Sequence, residues 1–209
     1  MQRFFTVFVI GTGFLASSAC LASRTSHVLY LSPSGAVTWT VHDQDVHSDE
    51  ADRSKRAQEE ADFLRAIQNR THGPLLALEA IGGRNAASEL TRAKRPWDAV
   101  TTAEFDRIDG LVAALLREVG VRGRASLSSD ADRTTLRVQW TDDDPVSEET
   151  PVLELVEALD AYRVVLTDGR FVAADGFVIS PDGRTATLSG QTPSVESEQH
   201  MSLTWIVEQ

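Results

Sequence analysis

Two short segments near opposite ends of the chain alternate large apolar side chains with smaller or polar ones. Residues 37–41 read Val-Thr-Trp-Thr-Val, and residues 203–207 read Leu-Thr-Trp-Ile-Val. Because successive side chains of a β-strand point to opposite faces, a period of two collects the large apolar groups on one face. Each segment is therefore predicted to be a half-buried antiparallel strand, and the chain must fold around a sheet with one protected face.

Turn residues divide the rest of the predicted sheet into short strands. Residues 32–35, Ser-Pro-Ser-Gly, predict a hairpin between strands at 28–31 and 36–41. The Asp-Gly pairs at 168–169 and 182–183 predict two more hairpin turns, whereas the pair at 175–176 is typical of a bulge in a long strand. The further predicted strands are 125–128, 134–140, 164–166, 171–179, 185–188 and 202–207.

Helical patterns fill much of the first half. They predict helices from Ser48 as N-cap to about residue 69, over 75–81 and over 86–93. A further helix is predicted over 101–120, where Thr101 and Glu104 form a capping-box pattern before apolar residues spaced by three and four. Such a helix does not stand alone in water, so it must pack on the sheet. The predicted fold class is α+β, a mostly antiparallel sheet with several helices packed on it.

The N-terminal segment has the pattern of an export signal. Arg3 precedes an uncharged, mainly apolar run over residues 4–16, and small side chains follow over residues 17–20. A positive residue, an apolar stretch and small residues at a cleavage site are the three parts of a secretory signal peptide. This segment is expected to lie outside the fold.

Cys20, the single cysteine of the chain, stands where this segment ends. Together with Ser18 and Ala19 it resembles a bacterial lipobox, although Ser17 stands where leucine is usual. The resemblance implies that a diacylglycerol is attached to Cys20 and that the chain is cleaved just before it. Two alternatives remain open: cleavage after Ala22, and an uncleaved anchor over residues 4–22.

The signal divides the 209 residues into unequal parts. We expect a signal peptide over 1–19, a tether over 20–26 and one α+β domain over 27–209; the alternative is a division of this domain into a helix-rich lobe, 27–122, and a sheet-rich lobe, 123–209. The predicted location is the bacterial cell envelope, outside the cytoplasm and lipid-anchored; the alternatives are a secreted soluble protein and one anchored by an uncleaved helix. With a single cysteine, no internal disulfide is expected.

The charge balance limits the expected partners. The formal net charge is −11, and such a surface repels nucleic acid. We expect contact with the membrane through the N-terminal lipid anchor, another envelope protein as a partner, and no cofactor.

The densest set of candidate metal ligands lies at the predicted junction between a strand and a helix. It consists of His42, Asp43, Asp45, His47 and Asp49, whose imidazoles and carboxylates are groups that bind divalent cations. Neither the calcium-loop spacing nor the i, i+4 histidine spacing of a helical zinc pair is present. The alternative is a solvated acidic turn that caps the helix.

A second candidate site is basic. Arg92 and Arg95 lie beside Trp97, so they are candidates to bind a carboxylate or phosphate of a ligand. The alternative is a basic rim near helix ends, with Trp97 as a packing anchor.

No recognisable catalytic motif is present, and the chain has neither a nucleophile elbow nor a second thiol. The sequence therefore favours an exported envelope lipoprotein whose domain is a noncatalytic binding or interaction module. A periplasmic hydrolase with a site assembled by the fold, and a divalent-metal-binding domain, are the alternatives.

Overall fold

The computed structural model describes residues 21–141, 162–189 and 198–207. These residues form eleven strands and three helices. The strands are β1 (Leu21–Leu31), β2 (Val37–Ser48), β3 (Arg84–Arg92), β4 (Trp97–Phe105), β5 (Arg122–Asp130), β6 (Arg133–Thr141), β7 (Tyr162–Leu166), β8 (Arg170–Asp175), β9 (Phe177–Ile179), β10 (Thr185–Leu188) and β11 (Glu198–Ile206). The helices are α1 (Arg53–Gln68), α2 (Gly73–Ala80) and α3 (Ile108–Glu118). The predicted signal segment and Cys20 lie outside the described residues.

The strands form two sheets. The larger sheet has the order β3-β4-β2-β1-β7-β10-β9, and the smaller sheet has the order β5-β6-β11-β8. β1 and β7 run parallel, while the other paired strands run antiparallel. The architecture is therefore α+β in outline, mostly sheet with helices packed on it. The larger sheet takes strands from both sides of residue 122, where we considered a division into two lobes.

The period-two patterns that predicted buried strands are confirmed. Trp39 in β2 and Trp205 in β11 are both completely buried. Each stands in an inner strand of its sheet, and the Trp205 indole N–H donates to the carbonyl oxygen of Pro33 at 3.2 Å. The predicted first hairpin is also present, with Leu31 opposite Val37. The two sheets share one apolar core.

The helices cover the protected faces of the sheets. α1 packs on β2 and β3, α2 packs on β3 and β4, and α3 packs chiefly on β5 and β6. Asp52, rather than the predicted Ser48, caps α1, because the Asp52 carboxylate accepts hydrogen bonds from the N–H groups of Ser54 and Lys55. The predicted helix over 75–81 corresponds to α2. Among the described helices, none has the length and apolar character needed to cross a membrane.

Three segments differ from their predicted structure. Residues 21–26, expected to be a tether, form the first half of β1. Residues 86–93, expected to be a helix, lie mostly in β3, and residues 101–105, expected to begin a helix, end β4. Pairing across the sheet explains the last two cases: Thr101 lies between Val41 and Ser88 and is completely buried, so a ladder on both sides outweighs a local capping signal.

The Asp-Gly turns have three different outcomes. The turn at 182–183 joins β9 and β10, as a predicted hairpin should. The turn at 168–169 was wrongly predicted as a hairpin, because β7 and β8, which it connects, belong to different sheets. At 175–176 the predicted long strand divides, and Gly176, with a φ of 77°, lets the chain leave the smaller sheet as β8 and enter the larger as β9.

Candidate apolar binding site

A cavity of about 310 Å³ lies where the two sheets and α3 meet. Both sheets and the helix contribute to its wall, and among the residues that the structure describes, none of the lining side chains carries a charge. The lining residues are Leu29, Ile108, Val112, Leu115, Leu116, Val119, Val121, Leu136, Val138, Trp140, Tyr162, Val164, Phe177, Leu188, Met201 and Leu203.

Two sequence periods build this wall. On α3, Ile108, Val112, Leu115 and Leu116 recur every three or four residues and so face the same side of the helix. On β6, Leu136, Val138 and Trp140 alternate with outward-facing residues. A helical stripe and the inner faces of two sheets thus point into a common space, which their side chains do not fill.

Burial distinguishes a floor from a mouth. The floor contains Leu203, which is completely buried, and Leu136 and Val138, each 3% exposed. At the other extreme, Trp140 and Met201 are half-buried. The other half-buried lining side chains are Val112, Leu115, Leu116, Val121, Phe177 and Leu188. We therefore describe these eight half-buried residues as the mouth.

One part of the wall rests on a buried polar stack. The ring of Tyr162, which lines the cavity, is parallel to that of His27 with centroids 4.3 Å apart. The Trp39 indole N–H donates to Nδ1 of His27 at 3.3 Å, which makes Nδ1 the acceptor and leaves the ring proton on Nε2. Burial lowers the pKa of His27 to about 4 and raises the pKa of Tyr162 above its ordinary value. At neutral pH the stack is therefore uncharged.

This chemistry suits binding better than catalysis. The described part of the cavity wall has no carboxylate, imidazole or amine to transfer a proton, and the raised pKa of Tyr162 keeps its hydroxyl protonated. An apolar ligand that fills a space of this kind gains dispersion contacts with the lining side chains.

A second polar cluster lies in the larger sheet beside the start of α2. His72 Nε2 is 3.6 Å from Asp43 Oδ2, and His72 Nδ1 is 3.4 Å from the hydroxyl oxygens of both Ser88 and Thr101. Thr25 donates to the other Asp43 oxygen at 2.8 Å. Burial lowers the pKa of His72, and the charge of Asp43 partly opposes this shift.

The order of serine, histidine and aspartate in this cluster is the order of groups in serine hydrolases. Asp43 and His72 are nevertheless buried, and neither they nor Ser88 line the cavity. We interpret the cluster as a structural network that connects β2, β3 and β4 to α2, in which Asp43 Oδ2 lies 3.6 Å from His72 Nε2 and accepts no hydrogen bond from the described residues.

The structure separates the five candidate metal ligands. His42 and Asp43 are consecutive in β2 and so point to opposite faces of the sheet, and Asp49 follows the strand as an exposed residue. Asp45 lies in a bulge with a φ of 55°, and its carbonyl oxygen is 2.6 Å from Nδ1 of His47. Within the described part of the chain, no group of three such side chains has an arrangement that could hold a metal ion.

The candidate basic residues contact carboxylates of the protein itself. Arg92 forms ion pairs with Asp98 and with Asp45, the latter at 2.8 Å, and thereby joins the two predicted sites. Arg95 pairs with Glu60 at 3.0 Å. Trp97 is half-buried beside a small apolar cluster under α1. The structure thus gives both arginines carboxylate partners within the protein, and binding of a ligand by Arg92, Arg95 and Trp97 stays a prediction.

Sequence reasoning missed the cavity. The available signal was the broad apolar stripe of the predicted 101–120 helix, which we assigned entirely to packing. A stripe shows which side of a helix is buried, but it does not show whether the opposing sheets fill the space in front of it.

Comparisons with known proteins add little to this picture. No protein-family model matches the chain, and no curated protein matches it. Among solved structures, the chain is similar to the NMR structure of the folded domain of LppM from Mycobacterium tuberculosis, with 10% sequence identity and a TM-score of 0.39. The alignment covers 90% of this chain and 91% of that one. At this TM-score the likeness carries neither a fold nor a function over to this chain.

Proposed function

We propose that the protein is an exported, lipid-anchored envelope protein whose domain binds the apolar part of a ligand in the cavity between its sheets. The observation that carries the binding proposal is a charge-free cavity of about 310 Å³. This volume lies at the lower end of the range of natural ligand pockets, about 300–1,000 Å³. Every methylene that moves from water into such a space contributes about 0.8 kcal/mol.

The location rests on the signal-like residues 1–19 and on Cys20. It is tested by labelling producing cells with a radioactive fatty acid and recovering the protein. We expect label in the wild type and none in Cys20→Ala. Unlabelled wild-type protein that retains residues 1–19 would contradict the proposed export and anchoring together.

The binding proposal is tested with the neutral fluorescent probe N-phenyl-1-naphthylamine and the purified protein. We expect saturable fluorescence enhancement in the wild type and at least a tenfold loss of affinity in Val164→Phe, because the larger ring occupies the cavity. Val165→Phe is the matched control: Val164 lines the cavity, whereas Val165 is the next residue of β7 and points to the opposite face.

A second variant that blocks the cavity keeps the test informative if Val164→Phe does not fold. Leu188→Phe places a ring at the half-buried mouth. Circular dichroism and a thermal melt establish which variants fold. The proposal fails if the wild type does not enhance the fluorescence, or if every folded blocking variant binds as well as Val165→Phe.

A further inference from the structure

We infer that the buried part of the ligand is a single unbranched hydrocarbon chain of about twelve carbons, as in a fatty acyl group, and that it enters the cavity methyl end first. The length is inferred by comparing the volume of the cavity with that of an apolar cavity of about 150 Å³ that binds benzene. The inference rests on the proposed function and specifies the ligand class of the same site.

The size argument compares volumes. Since benzene has six carbons and occupies a cavity of about 150 Å³, the observed 310 Å³ corresponds to about twelve carbons. A second chain of the same length needs about twice this space at the same packing density. A lipid with two such chains would therefore leave one outside.

The direction of entry follows from the distribution of burial and charge. The deepest positions are apolar side chains, including the completely buried Leu203 and the 2% exposed Ile108. A carboxylate or phosphate at this depth would lose its hydration, and no cationic side chain among residues 21–141, 162–189 and 198–207 lines the cavity to compensate for that loss. The methyl end suits the floor, and the head group stays in water beyond the mouth.

Part of the mouth is lined by unbranched or γ-branched side chains that can adjust to a flexible ligand chain. Leu116, Leu188 and Met201 have several rotatable bonds, and methionine adjusts to irregular apolar surfaces. Gly123 limits the opening on one side: a Cβ there would lie 2.7 Å from Leu116 Cδ1 and 2.9 Å from Trp140 Cβ, so β5 and α3 are already in close contact. Entry is therefore expected beside Met201 and Leu188.

The first test is a chain-length series of saturated fatty acids that compete with N-phenyl-1-naphthylamine for the full domain. We expect affinity to rise about fourfold for each added methylene, the equivalent of about 0.8 kcal/mol. The increase should stop near dodecanoate, because further methylenes remain in water. A constant increase through hexadecanoate would overturn the inferred length.

The second test compares dodecanoate with dodecanedioate, which has the same length and a carboxylate at each end. Methyl-first entry predicts at least about a hundredfold weaker binding of the diacid, because one carboxylate would have to be buried without a partner. Equal affinity of the two acids would overturn the inferred direction. In either negative case the probe still binds and the proposed function stands; if neither the probe nor any acid binds, the proposed function itself fails.

Discussion

The two apolar regions of the molecule are packed differently. The small cluster under α1 contains Val46, Phe63, Ile67 and Ala99, all at most 8% exposed. The main core extends between the sheets, and part of it surrounds the cavity. Because an unfilled space has room for added atoms, we expect the region around the cavity to accept a larger side chain at a lower cost in stability than the small cluster does.

The polar groups beside the two regions differ in the same way. The bulge and strand ends near the small cluster are held by charged pairs, Arg92 with Asp45 and Arg95 with Glu60. Beside the cavity, the buried polar group is the uncharged stack of His27 on Tyr162. Ion pairs thus lie at the surface beside the small cluster, whereas the described side chains that line the cavity are uncharged.

Acid should weaken the cavity side most strongly. Burial lowers the pKa of His27 to about 4, so between pH 6.5 and pH 4 the unfolded chain binds a proton that the folded chain does not. Stability therefore falls as the pH decreases, and the loss due to His27 reaches about 3 kcal/mol near pH 4. Urea unfolding at a series of pH values measures it.

His27→Gln is the variant for this test, because its amide oxygen can still accept from Trp39. It should remove that part of the acid loss. His72→Gln probes the network beside the small cluster and should act in the same direction, since burial also lowers the pKa of His72. An unchanged acid loss in His27→Gln would show that the stack is not the sensitive element.

Enlarging a side chain should distinguish filled from unfilled space. Val46→Leu adds one methylene to the small cluster, where Val46 is 2% exposed, and should destabilise the fold by about 1–3 kcal/mol. Val164→Leu adds one methylene at the cavity, which has room for it, and should cost less than about 1 kcal/mol. Urea midpoints measure both effects. Equal decreases in the free energy of unfolding of the two variants would contradict the proposed difference in packing.

The smallest effect concerns the charged pairs near the bulge. The Asp98 carboxylate, followed by that of Asp45, raises the pKa of Arg92, so the guanidinium stays charged throughout the accessible pH range. Arg92→Gln should lower the melting temperature slightly at low salt, and the difference from wild type should shrink at high salt because the pairs are partly exposed. Lys94→Gln is the exposed neighbouring control, and an identical melting shift in both variants would assign no special role to the Arg92 pairs.

Local patterns predicted the fold where a single strand or helix determines the outcome. Trp39 and Trp205 lie in buried strands, as predicted, because a period of two places the large apolar side chains of a strand on one protected face. The pattern failed at Thr101 and Glu104, where pairing of β4 with β2 and β3 decides the structure. The residues around Thr101 do not indicate which strands, distant along the chain, pair with β4.

The candidate site was less predictable than the fold. Clusters of charged residues were the candidate sites in the sequence, yet Asp45 of the one and Arg92 of the other form an ion pair with each other. The cavity is made by ordinary core residues such as Leu136 and Val164, and their common feature is the space between them. Such a space depends on the separation of two sheets and a helix, which composition and periodicity do not specify.

The parallel pairing of β1 with β7 has a consequence for the order in which the domain can be completed. His27 lies opposite Tyr162, and the indole of Trp205 reaches back to Pro33. For a polypeptide threaded through a membrane pore from its amino end, this sheet cannot close while the later partners are still on the near side. Under the export that we propose, native closure of this sheet would therefore wait until residue 162 and its partners had crossed the membrane.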